Sequence, residues 1–374
     1  MISIEKINSF DRIGIEAWNK LLSVCGEKYI FQNYEFQSIW WKHFGGRRNR
    51  RELMLLVAKD QGRLIGIAPL MAEEVPLFKR PIIKFVGTPI CDYMDFVIEK
   101  GAETEVLNAF YSYLQDLKCL EIDLLFVPEN APTVRFDKTT AAVIDICPYL
   151  DLSEDWAATY KSLNKTIKKY VARRERSIAK VGRVELGSVK EKSGIKIFFD
   201  EYFRIHVTRW KDYEGRYSQF QYISWRDFAT EVSDALFQRG VIDLSYLKLN
   251  SETIACHFGF IYNKIFHWYM PAYNPAYSRY SPGNLFVMEL LKRSSLNGLS
   301  TFDFLRGNEP YKIFWTDKSQ RLFDCVSYPN NRMLSGMGRS IRFARNIYAS
   351  YIKGRLKKLS PLMQMWYKSK GDVN

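Results

Sequence analysis

The chain has 374 residues, with 55 Lys plus Arg against 41 Asp plus Glu for a formal net charge of +14, and it is 47% hydrophobic and 15% aromatic. Such a composition excludes a disordered or low-complexity chain, and apolar runs such as Leu53–Ala58 and Ile65–Met71 fall far short of the roughly 18 residues a membrane-crossing helix needs. The opening Met1-Ile-Ser-Ile-Glu-Lys-Ile carries an early acid and no apolar signal core, so a cytoplasmic protein is expected.

Periodicity predicts helices at Ile13–Cys25 and Glu35–Phe44, then strands at Met54–Lys59, Arg63–Ala72, Ile82–Gly87 and Asp95–Ile98. A helix at Glu103–Leu117 and a strand at Cys119–Val127 follow. One long basic helix is expected over Asp155–Lys180, then a strand at Arg183–Gly187 and helices at Ile195–Trp210 and Trp225–Gln238. Strands at Ile242–Asn250, Glu252–Tyr262 and Lys264–Tyr269, a helix at Leu285–Leu296 and a strand at Thr301–Phe304 complete the body. Alternation of this kind implies an α/β fold with mixed central sheets flanked by helices.

The strand–turn–strand of Met54–Ala68, with Gly66 just past the turn, is repeated by Ser245–His257, with Ala255 in the matching place. Two similar halves are expected: an N-terminal domain over 1–155 and a second over 156–328, with a basic connector at 156–181 and a tail at 329–374. Lys165, Lys168, Lys169 and Arg173 of the connector read either as a solvated face or as the lining of an anion-binding cleft.

Six cysteines (Cys25, Cys91, Cys119, Cys147, Cys256 and Cys325) contain no CxxC pair and read as buried reduced thiols. His43, His206, His257 and His267 lack metal-ligand spacing, so no metal is expected.

The tail concentrates the charge. Pro329–Asn374 holds ten basic residues and one acid, Asp372. Ile341, Ala344, Tyr348, Ile352 and Leu356 recur at helical steps, while Arg342, Arg345, Lys353 and Lys357 lie mostly off that stripe. Beyond a break at Ser360-Pro361 come Met363, Met365, Trp366 and Tyr367. The pattern is a basic amphipathic helix that either docks its stripe on the body or meets an anionic membrane surface, peripheral at the inner membrane. No RNA- or DNA-binding module is recognisable, so nucleic acid is not an expected partner.

The most specific stretch is Tyr269–Lys292, where a strand runs through Ser281-Pro-Gly283 into an apolar-periodic helix, followed by Phe302–Lys312 and Trp315. A turn of this kind directs backbone N–H groups and the positive helix end at an anion such as phosphate.

Across roughly residues 10–325 the chain resembles the CelD-like acyltransferases. These form a branch of the GNAT superfamily related to the FemAB peptidyltransferases and also similar to bacterial ceramide synthases. The resemblance rests on Phe31-Gln32 with Glu35 and Trp40-Trp41, Gly66-Ile-Ala-Pro69, Asp92-Tyr-Met-Asp95, and His206 with Arg209-Trp210. It rests most on Ala272-Tyr-Asn274, Tyr277, Ser281-Pro-Gly283, Asp303-Phe-Leu-Arg-Gly307 and Tyr311-Lys312 with Trp315. It implies two GNAT-like folds in tandem, acyl-CoA bound by the second, and an acceptor amine between them. The usual pyrophosphate loop is here reduced to Arg279-Tyr-Ser-Pro-Gly283.

Acyl transfer from a thioester to an amine needs a neutral amine, a donor for the carbonyl oxygen and a proton source for the thiolate; no nucleophilic Ser or Cys is required. His257 is a candidate base or an interior histidine, and Tyr273 and Tyr311 are candidate acids. Arg279, Ser281, Gly283, Asn284 and Lys312 are candidate CoA ligands. Glu35, Asp92, Asp95, His206, Arg209, Asp303 and Arg306 are candidates for holding the acceptor. The acceptor expected is an amino-lipid or an amino sugar of a polysaccharide precursor. A non-catalytic GNAT-like binding module, or a FemAB-like transferase taking its acyl group from aminoacyl-tRNA, are the competing readings.

Overall fold

A computed structural model of the chain describes residues 2–26, 28–212 and 217–356. The tail's Ser360-Pro361 break and its Met363, Met365, Trp366 and Tyr367 lie outside the described residues, as do the side chains of Tyr348, Ile352 and Leu356. The strands are β1 (Ser3–Ile7), β2 (Arg51–Asp60), β3 (Arg63–Val75), β4 (Arg80–Phe85), β5 (Val97–Ile98), β6 (Glu121–Pro128), β7 (Thr140–Asp151), β8 (Val184–Ser188), β9 (Ile242–Leu249), β10 (Glu252–Tyr262), β11 (Ile265–Tyr273), β12 (Thr301–Asp303) and β13 (Ser319–Ser327). The helices are α1 (Ile15–Val24), α2 (Tyr34–Phe44), α3 (Glu103–Gln115), α4 (Trp156–Ser162), α5 (Lys165–Ile178), α6 (Gly194–Asp212), α7 (Ile223–Phe237), α8 (Pro282–Leu296), α9 (Pro310–Trp315) and α10 (Arg332–Leu356).

Two compact units form. One takes Met1–Asp145 together with Arg321–Asn374, and the other takes Ile146–Gln320. In the first, the order β1-β2-β3-β4-β6-β13 is antiparallel except for the parallel β4–β6 pair, and β5 adds to β3. Helix α3 packs on β1, β2 and β3, and α1 on β3. Trp18, Phe31, Phe36, Trp40, Phe110 and Tyr111 are wholly buried, each contributing about 2–3 kcal/mol of apolar transfer.

In the second unit the order is β7-β12-β11-β10-β9-β8, antiparallel apart from β11–β12. Alternate side chains of β10 serve opposite faces. His257 stacks on Trp268, which meets Phe286 of α8, whereas its neighbour Phe258 meets Phe199 of α6. The α/β class with mixed sheets flanked by helices is as the sequence predicts.

Three local departures have physical causes. The expected helix at Asp155–Lys180 is two, α4 and α5, broken at Leu163-Asn164, where Asn164 caps the second by accepting the Thr166 N–H at 2.8 Å. Helix α8 begins at Pro282 rather than Leu285, with proline at its first position.

The third departure concerns α10. Its inward face carries Leu334, Gly338, Arg342 and Arg345. Arg342 reaches Asp123 at 3.0 Å and Glu121 at 3.5 Å and also binds Asp324, while Arg345 binds Glu121. Glu121, Asp123 and Asp324 are buried on β6 and β13, where unpaired charge is costly. The arginines therefore turn inward, and Ala344 of the expected docking stripe is exposed. Gly338 lies so close to the Leu120 carbonyl that a Cβ there has no room. All six cysteines are buried, and none is in a disulfide.

Candidate active site

In the second unit, β12 accompanies β11 through only three pairs, ending at His267 opposite Asp303. From there β11 continues to Tyr273. Two of its carbonyls are then taken by α6: the Tyr202 hydroxyl donates to Met270 at 3.0 Å, and Arg209 donates to Pro271 at 3.0 Å. The Arg209 guanidinium also lies 4.5 Å over the ring of Tyr273, so these two predicted residues do come together.

The turn after β11 is tightly determined. Asn274 accepts the Ala276 N–H at 3.1 Å, and Glu252 at the start of β10 accepts the Asn274 amide at 3.1 Å and the Tyr277 hydroxyl at 2.6 Å. Ser281 then adopts the left-handed region, φ 55 and ψ 55, and its carbonyl accepts the first N–H groups of α8, those of Asn284 at 3.0 Å and Leu285 at 3.3 Å. A Cβ on Gly283 would meet nothing within 4 Å. The fold does not demand glycine there, and the first turn of α8 faces open space at that point.

Helix α5 lies across this turn. The Tyr170 and Ser281 hydroxyls are 2.7 Å apart, and Arg174 donates to the Arg279 carbonyl at 2.7 Å while lying over the Tyr170 ring. Its Nε is buried with no hydrogen-bond partner. The Arg279 guanidinium itself stacks on Tyr280 at 4.6 Å. Of the connector residues weighed from sequence, Lys165, Lys169 and Arg173 are exposed and Lys168 caps the carbonyls of Tyr160 and Lys161. The residues that meet the turn, Tyr170 and Arg174, sit one helical turn apart on one face. That i, i+4 spacing was the available signal.

Helix α9 closes the other side. Trp315 donates to the Asn284 side-chain carbonyl at 3.1 Å, tying α9 to the start of α8. Asp303 accepts the Leu305 N–H at 2.7 Å and thereby holds the left-handed Leu305, followed in the chain by Arg306. Lys312 is buried, donating to the carbonyls of Leu305 at 3.3 Å and Arg306 at 2.5 Å and pairing with Glu309 at 3.0 Å. Its ammonium thus braces the 305–309 loop, which leaves a phosphate contact without a donor there. Burial pushes the Tyr311 phenol up, so it keeps its proton at neutral pH and can still donate it.

The histidines are engaged internally. His257 is wholly buried, with Nδ1 3.3 Å from Asp243 and Nε2 accepting the Tyr269 N–H at 3.1 Å. Arg293 and Ser245 complete that network on Asp243, at 2.6 Å each. Desolvation pushes His257 down against the pull of Asp243, and neither ring nitrogen has a lone pair to offer a substrate amine. The candidate base His257 is thus placed in the interior with both ring nitrogens engaged. His206 contacts the Ser218 hydroxyl at 2.8 Å and accepts the Trp210 indole N–H at 3.2 Å; burial and the nearby Arg209 push it down to about 3. It too is neutral and occupied.

Glu35, Asp92 and Asp95 lie in the first unit, all buried. Asn19 donates to Glu35 at 3.5 Å, and Asp95 accepts the Thr133 hydroxyl at 2.5 Å while its carbonyl accepts from Gln32 at 3.1 Å. Among the described residues, no group of three or more His, Cys, Asp or Glu could hold a metal ion.

No curated protein matches the chain in sequence. Solved structures do match in fold. FemX is similar at a TM-score of 0.61 and 12% identity, covering 89% of this chain and 99% of that one. A C-terminal DUF2156 domain from Agrobacterium fabrum follows at 0.53 and 11%, covering 89% and 96%. L-PGS from Bacillus licheniformis follows at 0.51 and 9%, covering 86% and 94%. Residues 165–313, which carry α5, the β9–β11 meander, α8 and most of α9, match the family model described as an acetyltransferase (GNAT) domain.

Proposed function

We propose that the protein is an acyl-CoA-dependent N-acyltransferase of the CelD-like kind that uses the turn from Arg279 to Asn284 to hold the CoA pyrophosphate. The observation that carries this reading is the first turn of α8, open at Gly283 and roofed by Tyr170 and Arg174, within a segment that matches a GNAT domain. The Gly283 N–H at the helix start and the buried Arg174 Nε are suited to an anion.

In the reaction proposed, the neutral acceptor amine attacks the thioester carbonyl directly. A C–N bond forms, the C–S bond breaks, the amine's proton passes to solvent water, and the departing thiolate takes a proton from a side chain that water then reprotonates. Tyr311, held protonated by burial, supplies that proton, with Tyr273 beside Arg209 on the acceptor side. The acceptor we favour is an amino-lipid over an amino sugar, because of the apolar surface described below.

The test is calorimetric titration of the full chain with CoA and a long-chain acyl-CoA, followed by mass spectrometry of products formed from long-chain amines and amino sugars. Binding with salt-insensitive stoichiometry and an amide product support the reading. Absence of CoA binding refutes it, and tRNA-dependent transfer would replace it with the FemAB-like alternative.

A further inference from the structure

The two arginines that turn inward on α10 lie on a side that the sequence pattern leaves to solvent, while Ile341 of the expected stripe is half-buried and Ala344 exposed. With Leu334, Gly338, Arg342 and Arg345 turned inward, the outward face carries Met333 and Phe343, 70% and 68% exposed, together with the exposed Gly336, Ser340 and Ala344. No charged residue interrupts that face; Arg332 and Arg339 flank it. A helix side of this make-up in contact with water costs free energy unless something covers it.

A second element of the same unit has the same character. The tip joining β3 to β4 reads Val75-Pro76-Leu77-Phe78-Lys79-Arg80, with Leu77 84% exposed and Phe78 half-buried. The Leu120 N–H donates to the Pro81 carbonyl at 2.9 Å, and the Leu120 carbonyl is the atom that Gly338 approaches. Each of these exposed apolar elements is bordered by exposed basic residues, Lys79 and Arg80 at the tip and Arg332 and Arg339 on α10.

Charge identifies the occupant. Among the described basic residues of α10, Arg342 and Arg345 bind the buried carboxylates, whereas Arg332 and Arg339 are exposed. With Lys79 and Arg80 the latter two set four exposed basic residues beside the two apolar elements. Apolar side chains ringed by excess positive charge suit the headgroup boundary of an anionic bilayer. They do not suit a second copy of an equally basic surface, which would bring like charges together.

We infer that the first unit docks on an anionic lipid bilayer through the tip at Leu77-Phe78 and the outward face of α10, with Met333 and Phe343 entering the headgroup region. The inward arginines are what hold that face outward. This goes beyond the acyl-transfer reading and does not depend on it.

The experiment is co-sedimentation of the full chain with vesicles of phosphatidylcholine alone and of phosphatidylcholine with phosphatidylglycerol, at low and high salt. Leu77→Ser, Phe343→Ser and the double variant are compared, since neutral replacements remove insertion without altering charge. The expected result is pelleting of the wild type with the anionic vesicles at low salt, weakened by salt, and a loss of about tenfold in partitioning for each single variant. Size-exclusion chromatography and CoA titration accompany each sample.

Three results overturn the proposal. The wild type does not pellet with anionic vesicles; or both variants pellet like the wild type, leaving charge alone as the cause; or the wild type self-associates and the serine variants do not, making a second copy the occupant. Loss of CoA binding in the wild type would refute the acyl-transfer reading and leave the docking result standing.

Discussion

Substituting Gly283 by valine separates ligand binding from folding. Its Cβ would meet no protein atom within 4 Å, and its φ is not in the left-handed region, so the added side chain projects into open space. At a first turn with open space beside it, glycine and valine differ in helix propensity by about 0.5 kcal/mol, so the melting temperature should move by no more than about 2 °C. A pyrophosphate held by the backbone of this turn would lose close approach to at least one N–H. A charge-assisted hydrogen bond is worth about 1.5–3 kcal/mol, so CoA affinity should fall by about ten- to a hundredfold. Titration calorimetry of CoA into wild type and Gly283→Val, with thermal unfolding of both, provides the assay. Wild-type affinity in a variant of unchanged stability would mean the pyrophosphate does not rest on α8.

Two further substitutions test the buried networks. His257→Ala removes the partner of Asp243, the acceptor of the Tyr269 N–H and the ring stacked 4.6 Å from Trp268, so it should cost about 3–5 kcal/mol in denaturant unfolding. Full stability with abolished turnover would restore a catalytic role. Asp324 is pushed up to about 7 by burial beside Asp123, so the folded protein keeps a proton that the unfolded chain releases near 3.8. Its contribution to stability is therefore fully present below about pH 4 and is lost as pH rises through 7. Asp324→Asn should flatten that decline between pH 4 and 7; an unchanged slope would place the titration elsewhere, Glu121 being the next group raised.

Much of the fold could be read from periodicity because its strands bury one or both faces. The β2–β3 and β9–β10 pairs stand where the repeated strand–turn–strand pattern predicts, with Gly66 and Ala255 both inside the second strand. Strand β7 escaped notice because most of Thr140–Ile146 is exposed or half-exposed, leaving no clean alternation of apolar and polar residues to detect. Strand β13 hid behind Arg321 and Asp324, since a buried carboxylate reads as solvent-facing until the arginines that neutralise it are seen. The same limit applied to the site. Ser281, Gly283 and Asn284 were legible as a turn before a helix, a purely local signal. Tyr170 and Arg174 were not, because their partners lie more than a hundred residues away and a basic helix looks solvated until something is packed against it.

The first unit takes its sheet from both ends of the chain, and this orders its biosynthesis. Strand β6 cannot pair along its outer edge until β13 has left the ribosome, after the whole of Ile146–Gln320 has been made. At about 5–20 residues per second that interval is roughly 10–40 s. Throughout it, Glu121 and Asp123 await the arginines of a helix not yet translated. The nascent first unit thus carries an open strand edge with acidic residues on it, and negative charge along an unpaired edge discourages association with neighbouring chains. The carboxylates that cost folding energy in the finished protein would guard it while it is being made.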